Sequence, residues 1–225
     1  MPKVELIPKG KKTSLLVLDG ENAGPVTAGE ILRFGLENGA TVSEDTVTDV
    51  VREVILPGGR KKAMDLLVAQ FRTEAELRSR LLQAGYGEAV VEAVFDYIKK
   101  FPYLDDVRYA LHYLESAGEK KSLSEIRHRL LEKGVSEADY ETALEKYRQE
   151  RREAGPEADA DGFGSEDLEM QTLRKLLSKK VPAGTPLTKE KKEKLYASFL
   201  RKGFGYHCIR SILKEYPTCE SEAFD

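Results

Sequence analysis

The chain has 225 residues, with 36 Lys and Arg against 39 Asp and Glu, a formal net charge of −3, 40% hydrophobic residues and 33% charged ones. That composition allows one or two domains with a real core; no apolar run approaches the roughly 20 residues of a membrane span, and the start Met1-Pro2-Lys3-Val4-Glu5 has no signal-peptide core, so a cytoplasmic location is expected. Two cysteines, Cys208 and Cys219, cannot make a disulfide framework or a zinc site and are expected as reduced thiols, and the balanced charge argues against a surface given wholly to nucleic acid, although a local basic patch stays open.

The first elements are short. Apolar stretches at residues 4–7 and 15–18 are separated by Pro8-Lys9-Gly10-Lys11-Lys12, and Asp19-Gly20-Glu21 gives a second turn signal, so a small β-hairpin is expected. Residues 28–36 are left open between a third strand and a short helix. From Ser43 the spacing turns helical, with Val47, Val50, Val51 and Val54 at i, i+3, i+4 and i+7, and Pro57-Gly58-Gly59 is expected to end that helix.

Beyond residue 60 the chain repeats. Residues 77–98, 126–147 and 195–216 align without gaps, and the first two agree at eight of 22 positions, including Arg78 with Arg127, Arg80 with Arg129 and Glu92 with Glu141. All three share a leucine (Leu82, Leu131, Leu200) and a glycine (Gly85, Gly134, Gly203). The pattern is a helix, a glycine stop and a second helix. Leu77, Leu81 and Leu82, with their equivalents Ile126, Leu130, Leu131 and Leu195, Phe199, Leu200, make an apolar stripe. Each glycine is placed to take a left-handed conformation, and the apolar residue after it (Tyr86, Val135 or Phe204) can fold back on the last turn. Thr73 to Glu76 and Ser122 to Glu125 read as capping boxes, and Ser136 can cap the helix after Gly134. A preceding helix at 61–71, 106–115 and 166–178 gives three helices per unit.

The expected fold is therefore mainly α: tandem three-helix repeats forming an elongated array, with a small N-terminal β-hairpin extension. The expected divisions are 1–60 for the extension, 61–101 and 102–152 for repeats 1 and 2, 153–165 for an acidic linker and 166–219 for repeat 3. The linker, with a second loop at 181–186, leaves the third repeat free to move.

Catalytic motifs are missing: there is no P-loop, H-E-x-x-H or G-x-S-x-G, and His112, His128 and His207 lie apart, so no enzyme activity, cofactor or metal is expected. Asp105-Asp106 reads as a helix cap and dipole partner rather than a metal pair. Charge is more informative. Residues 174–202 hold ten basic residues against Glu190 and Glu193, a local net of +8, while residues 153–169 hold seven acidic residues and no basic one, a net of −7. Lys194 and Arg201 fall on one helical stripe, suited to phosphates or an acidic groove.

The repeats, the run Tyr103-Leu104-Asp105-Asp106-Val107-Arg108-Tyr109-Ala110 and the segment Ile126, Arg127, Leu130, Lys133, Gly134, Val135 together resemble the bacterial RecX family, over essentially the whole chain. Leu18-Asp19-Gly20-Glu21 and Phe34-Gly35-Leu36 resemble the N-terminal part of its longer members. Pro102 stands where that family commonly has glycine, Glu119-Lys120-Lys121-Ser122 replaces a Gly-Tyr-Gly segment with following arginines, and the acidic linker is longer than usual. The resemblance implies a regulator that binds the RecA recombinase, especially its filaments on single-stranded DNA, and inhibits ATP hydrolysis and strand exchange. Partner contacts with the recombinase or with DNA phosphates are expected at Arg127, Arg129, Lys133, Lys194, Arg201, Lys202, Arg78 and Arg80. Leu104, Asp105, Asp106, Arg108, Gly85, Gly134 and Gly203 are expected to be structural. A monomer is the default, and a weak direct DNA contact stays open. The competing readings are a helix-turn-helix-like DNA-binding module acting without a recombinase and a helical-repeat adaptor for another protein.

Overall fold

The computed structural model describes residues 1–153, 165–182 and 184–219. The chain divides into two compact units, Met1–Asp106 and a second that begins at Val107. Unit 1 opens with an antiparallel sheet, β1 (Val4–Pro8), β2 (Thr13–Leu18) and β3 (Glu21–Thr27), in the order β1-β2-β3. The β2–β3 turn is two residues long because Asp19 and Gly20 both take positive φ (50° and 86°), the geometry that matches the twist of paired strands. The expected hairpin is thus a three-stranded meander, and residues 28–36 supply a helix, α1 (Ala28–Arg33), under a Thr27/Glu30 capping box.

Next come α2 (Glu44–Val50), a π turn (Val51–Ile55) and α3 (Leu56–Ala69) as one continuous helical path, so Pro57-Gly58-Gly59 does not end the helix as expected. Pro57 comes just after the π turn, where the helix bonding is already shifted, so the path continues past a residue that has no N–H to give. The glycine serves packing instead: a Cβ on Gly59 would lie 2.9 Å from Val94 Cγ2. The π turn lets Ile55 reach the sheet, and a Cβ on Gly24 would stand 2.6 Å from Ile55 Cγ2. Helices α4 (Glu74–Ala84) and α5 (Glu88–Ile98) complete the unit. Val4, Leu16 and Val26 of the sheet share one core with Ile55, Leu77, Leu81, Val91, Phe95 and Ile98. Each such full burial contributes about 1.5–3 kcal/mol against exposure.

Unit 2 contains α6 (Asp106–Ala117, whose first residue closes unit 1), α7 (Leu123–Glu132), α8 (Glu137–Glu153), α9 (Ser165–Ser178), α10 (Lys189–Arg201) and α11 (Tyr206–Lys214). Two-residue strands β4 (Leu187–Thr188) and β5 (Thr218–Cys219) pair in parallel beside α10. Nothing in the sequence pattern signals them, since a two-residue strand has no period. Residues 154–164 of the acidic linker lie outside the described residues.

The three-helix repeat is α3-α4-α5, α6-α7-α8 and α9-α10-α11. Gly85, Gly134 and Gly203 take φ of 100°, 84° and 79°, and the next residue's N–H donates to a carbonyl five residues back: Tyr86 to Leu81, Val135 to Leu130, Phe204 to Phe199. This is the same left-handed helix stop three times, with Tyr86, Val135 and Phe204 all buried over it. The stripe is narrower than its leucines imply. Leu77, Leu81, Ile126, Leu130, Leu195 and Phe199 are buried, while Leu82 and Leu131 are half-buried and Leu200 is 48% exposed.

Helix starts repeat as well. The hydroxyls of Thr73, Ser122 and Thr188 accept the N–H groups of Glu76, Glu125 and Lys191, and Ser136 caps α8 by accepting the Asp139 N–H. Repeat 3 is seated against repeat 2 despite the intervening linker. Buried Ser122 also donates to the Lys202 carbonyl (2.6 Å), Thr172 donates to the Gly118 carbonyl (2.8 Å), and Leu168 of α9 joins the core of repeat 2.

Candidate interaction surface

The expected contact residues divide by how they are held. Arg78 on α4 lies over the Phe95 ring (4.8 Å), hydrogen-bonds Glu92 and has Glu74 and Glu88 each at 3.8 Å. The Arg78 hydrogen bond holds the Glu92 carboxyl below its usual range. Arg127 makes a two-pronged pair with Glu137 (2.6 and 2.7 Å) from the matching position on α7. These two arginines therefore join the helices of their own repeats. Arg129 pairs with Glu125 (3.0 Å), which also takes the Lys121 ammonium, and Lys133 lies 5.7 Å from the Tyr109 ring centroid. Arg80 is exposed on α4.

Repeat 3 is held differently. Lys194 is 3.8 Å from Glu190 on a fully accessible face, Arg201 donates to the Ala197 carbonyl, and the Arg201 and Lys202 side chains are exposed at the end of α10. Part of the basic run is consumed internally: Arg174 pairs with Glu215 (2.6 Å), Lys175 with Glu119, and Lys192 donates to the Tyr216 carbonyl (2.6 Å). Glu119, drawn below the usual carboxylate range chiefly by the Lys175 hydrogen bond, also lies 3.8 Å from Arg151. Glu119 of the loop at 119–122 thus reaches α9 and helps to seat repeat 3, while Lys121 turns to Glu125 of α7.

The aspartate pair acts as a cap, though on another helix than its own. Asp106 accepts the Glu74 N–H (2.9 Å) at the start of α4, adding a carboxylate to the Thr73 cap, while Leu104 packs on the unit 1 core and Asp105 and Arg108 are exposed. His128 is exposed beside Glu132, Cys208 is buried and Cys219 half-buried, both as free thiols. Among the described residues no group of three His, Cys, Asp or Glu could hold a metal, and no helix is long and apolar enough to cross a membrane.

Comparison with known proteins bears on the repeats directly. Family models for the first and third three-helix domains of RecX match residues 60–97 and 167–213. The regulatory protein RecX of Clostridium acetobutylicum is 24% identical over 216 residues, covering 95% of this chain and 94% of that protein, and that of Streptococcus sanguinis is 26% identical over 210 residues, covering 91% and 73%. The chain thus carries matches to two RecX three-helix domains and is similar to RecX proteins along nearly its whole length. A crystal structure of regulatory protein RecX matches its fold with a TM-score of 0.55 at 22% identity, over 96% of this chain and all of that one. RecX from Lactobacillus salivarius matches with a TM-score of 0.54 over 71% of this chain.

Within this RecX-like frame, the shared glycines and caps coincide with the hydrogen bonds that build the three-helix domains, and the charged residues fall between them. Sequence reading missed an aromatic feature of repeat 3. At the position of Arg78 and Arg127 stands Tyr196, whose ring meets that of Tyr206 at 6.0 Å and 83°, and Tyr206 occupies the position of Glu88 and Glu137. The gapless repeat alignment carries the signal once it is read column by column.

Proposed function

We propose that this chain binds the RecA recombinase and its filaments on single-stranded DNA, inhibits ATP hydrolysis and strand exchange, and so modulates recombination and DNA repair in the cytoplasm, as a monomeric binding protein without catalysis of its own. The observation that carries this reading is similarity to RecX proteins along nearly the whole chain, with family-model matches at the first and third three-helix domains. Physical features support it. Serial three-helix modules present several small contact surfaces on one chain, and weak contacts made together add through effective concentration. The exposed basic end of α10, with Lys194, Arg201 and Lys202, suits either DNA phosphates or acidic residues of a filament groove.

The test is recombinase ATPase on single-stranded DNA with increasing protein, alongside binding to preformed filaments and to bare single- and double-stranded DNA across salt. Inhibition with a preference for filaments is expected. Tight, steeply salt-dependent binding to bare DNA without that preference would replace this reading with a DNA-binding module, and unaffected ATPase at stoichiometric protein would favour an adaptor. The double variant Lys194→Glu/Arg201→Glu should weaken filament binding several-fold with helix content unchanged by circular dichroism; parental affinity would show this face to be solvated surface only.

A further inference from the structure

The repeat alignment shows a systematic exchange on one face of repeat 3. Where repeats 1 and 2 carry Arg78 and Arg127, repeat 3 has Tyr196; where they carry Glu88 and Glu137 it has Tyr206; and where they carry Glu92 and Glu141 it has Arg210. An ion pair between helices has become an aromatic pair, and the carboxylate beside it has become a cation. Tyr196 is half-buried and anchored on the repeat 3 core, whereas Tyr206 is 56% exposed. Arg210, one turn along α11, is exposed, donates to the Tyr206 hydroxyl (2.9 Å) and lies 5.9 Å from its ring centroid.

The surroundings are basic. Helix α11 contains no acidic residue, and Lys214 continues the line of Tyr206 and Arg210 at i+8. Residues 174–214 hold twelve basic residues (the ten up to Lys202, then Arg210 and Lys214) and two acidic ones, a net of +10. Glu169, at the foot of α11, accepts the Gly205 N–H (3.3 Å), and Glu190 lies beside Lys194. Glu193 is exposed on α10.

An exposed ring held edge-on by a second, anchored ring, with a guanidinium one turn away, can stack a planar group and neutralise an anion next to it. Unpaired nucleotides offer both along one backbone, whereas a duplex hides its base faces inside the stack. We propose that Tyr206, Tyr196 and Arg210 form a contact for the bases and phosphates of single-stranded nucleic acid. This names the chemistry of the direct DNA contact left open above, and its test needs no recombinase, so either reading can fail alone. The contact is one platform, not a groove, so binding is weak and selects strand over duplex.

The test uses the full chain and a fluorescein-labelled oligothymidylate, an abasic strand of the same length and charge, and a duplex, followed by anisotropy. The parent should prefer oligothymidylate to both others. Tyr206→Ala should lower oligothymidylate affinity about fivefold or more and leave the abasic strand unaffected, while Arg210→Gln should weaken both strands. The chain has no tryptophan. Tyr206→Trp therefore supplies a single reporter whose emission should be quenched by oligothymidylate and not by the abasic strand. Equal affinity of the parent for oligothymidylate and the abasic strand, with unquenched emission from Tyr206→Trp, would overturn the proposal and leave a basic surface only.

Discussion

Repeats 1 and 2 on one side and repeat 3 on the other use the same frame for different ends. In all three a left-handed glycine closes the middle helix, a hydroxyl opens it, and an apolar residue after the glycine covers the stop. The position between middle and last helices is not conserved in kind among them: Arg78 with Glu92 and Arg127 with Glu137 in the first two, Tyr196 with Tyr206 in the third. Exposed ion pairs of the first kind contribute at most about 1 kcal/mol. Their replacement therefore costs the frame little, and this surface can change its chemistry while the backbone stays the same.

The comparison breaks most severely at the shared glycine. Gly134→Val forces a β-branched residue to φ near 84° and should cost about 2 kcal/mol or more, lowering the unfolding temperature of unit 2 by several degrees. An unchanged melting curve would show that the left-handed turn is not what closes α7.

The caps come next. Ser122→Ala removes a buried hydroxyl that accepts the Glu125 N–H and donates to the Lys202 carbonyl, so about 1–2 kcal/mol is expected; Thr73→Ala, its counterpart in repeat 1, should cost about 1 kcal/mol. Urea unfolding of the two variants measures the difference. Parental stability of Ser122→Ala would show that neither its cap bond nor the bond from repeat 2 to repeat 3 contributes.

How much of this was legible beforehand follows the same division. The glycine stops, the Thr73 and Ser122 caps and the preceding helices are local patterns, and the structure has them where the spacing places them. The Pro57-Gly58-Gly59 segment misled because its cue is local while its cause is tertiary: Gly59 makes room for Val94 within a continuous helical path, as Gly24 of β3 makes room for Ile55. The same holds at the surface. Charge alone made Arg78 and Arg127 contact candidates, yet partners fourteen and ten residues away along the chain hold both. Asp106 caps a helix thirty-two residues earlier, a distance no cap motif spans. Tyr206 carried no signal on its own and becomes visible only against Glu88 and Glu137.

A transplant sharpens the comparison further. Tyr196→Arg/Tyr206→Glu writes the repeat 1 and 2 pair into repeat 3, and stability should fall by about 1 kcal/mol, because Tyr196 gives up packing on the repeat 3 core for an exposed ion pair. Oligothymidylate binding should fall while the fold persists. A variant that unfolds would show that the aromatic pair holds α10 to α11, which the Tyr206→Trp variant, retaining a ring, would still satisfy.

Protons should separate the repeats by the smallest margin. Hydrogen bonds from Arg78 and Lys121 hold the Glu92 and Glu125 carboxyls below their ordinary value near 4.5. A carboxylate lowered on folding contributes fully above that ordinary value, and its contribution disappears as the pH falls through the lowered one. Glu92 is exposed and Glu125 half-buried, and screening keeps the effect small. The Tyr196–Tyr206 pair itself contains no carboxylate. As the pH falls from about 6 to 3, protection against amide exchange, taken relative to the intrinsic rate at each pH, should therefore drop in α4–α5 and α7 more than in α10–α11. The Tyr196→Arg/Tyr206→Glu variant should bring acid sensitivity to α10–α11, because it installs a carboxylate whose proton affinity the new arginine would lower. A uniform loss of protection across the parent's three repeats would mean that acid acts on the frame they share and not on the pairs that distinguish them.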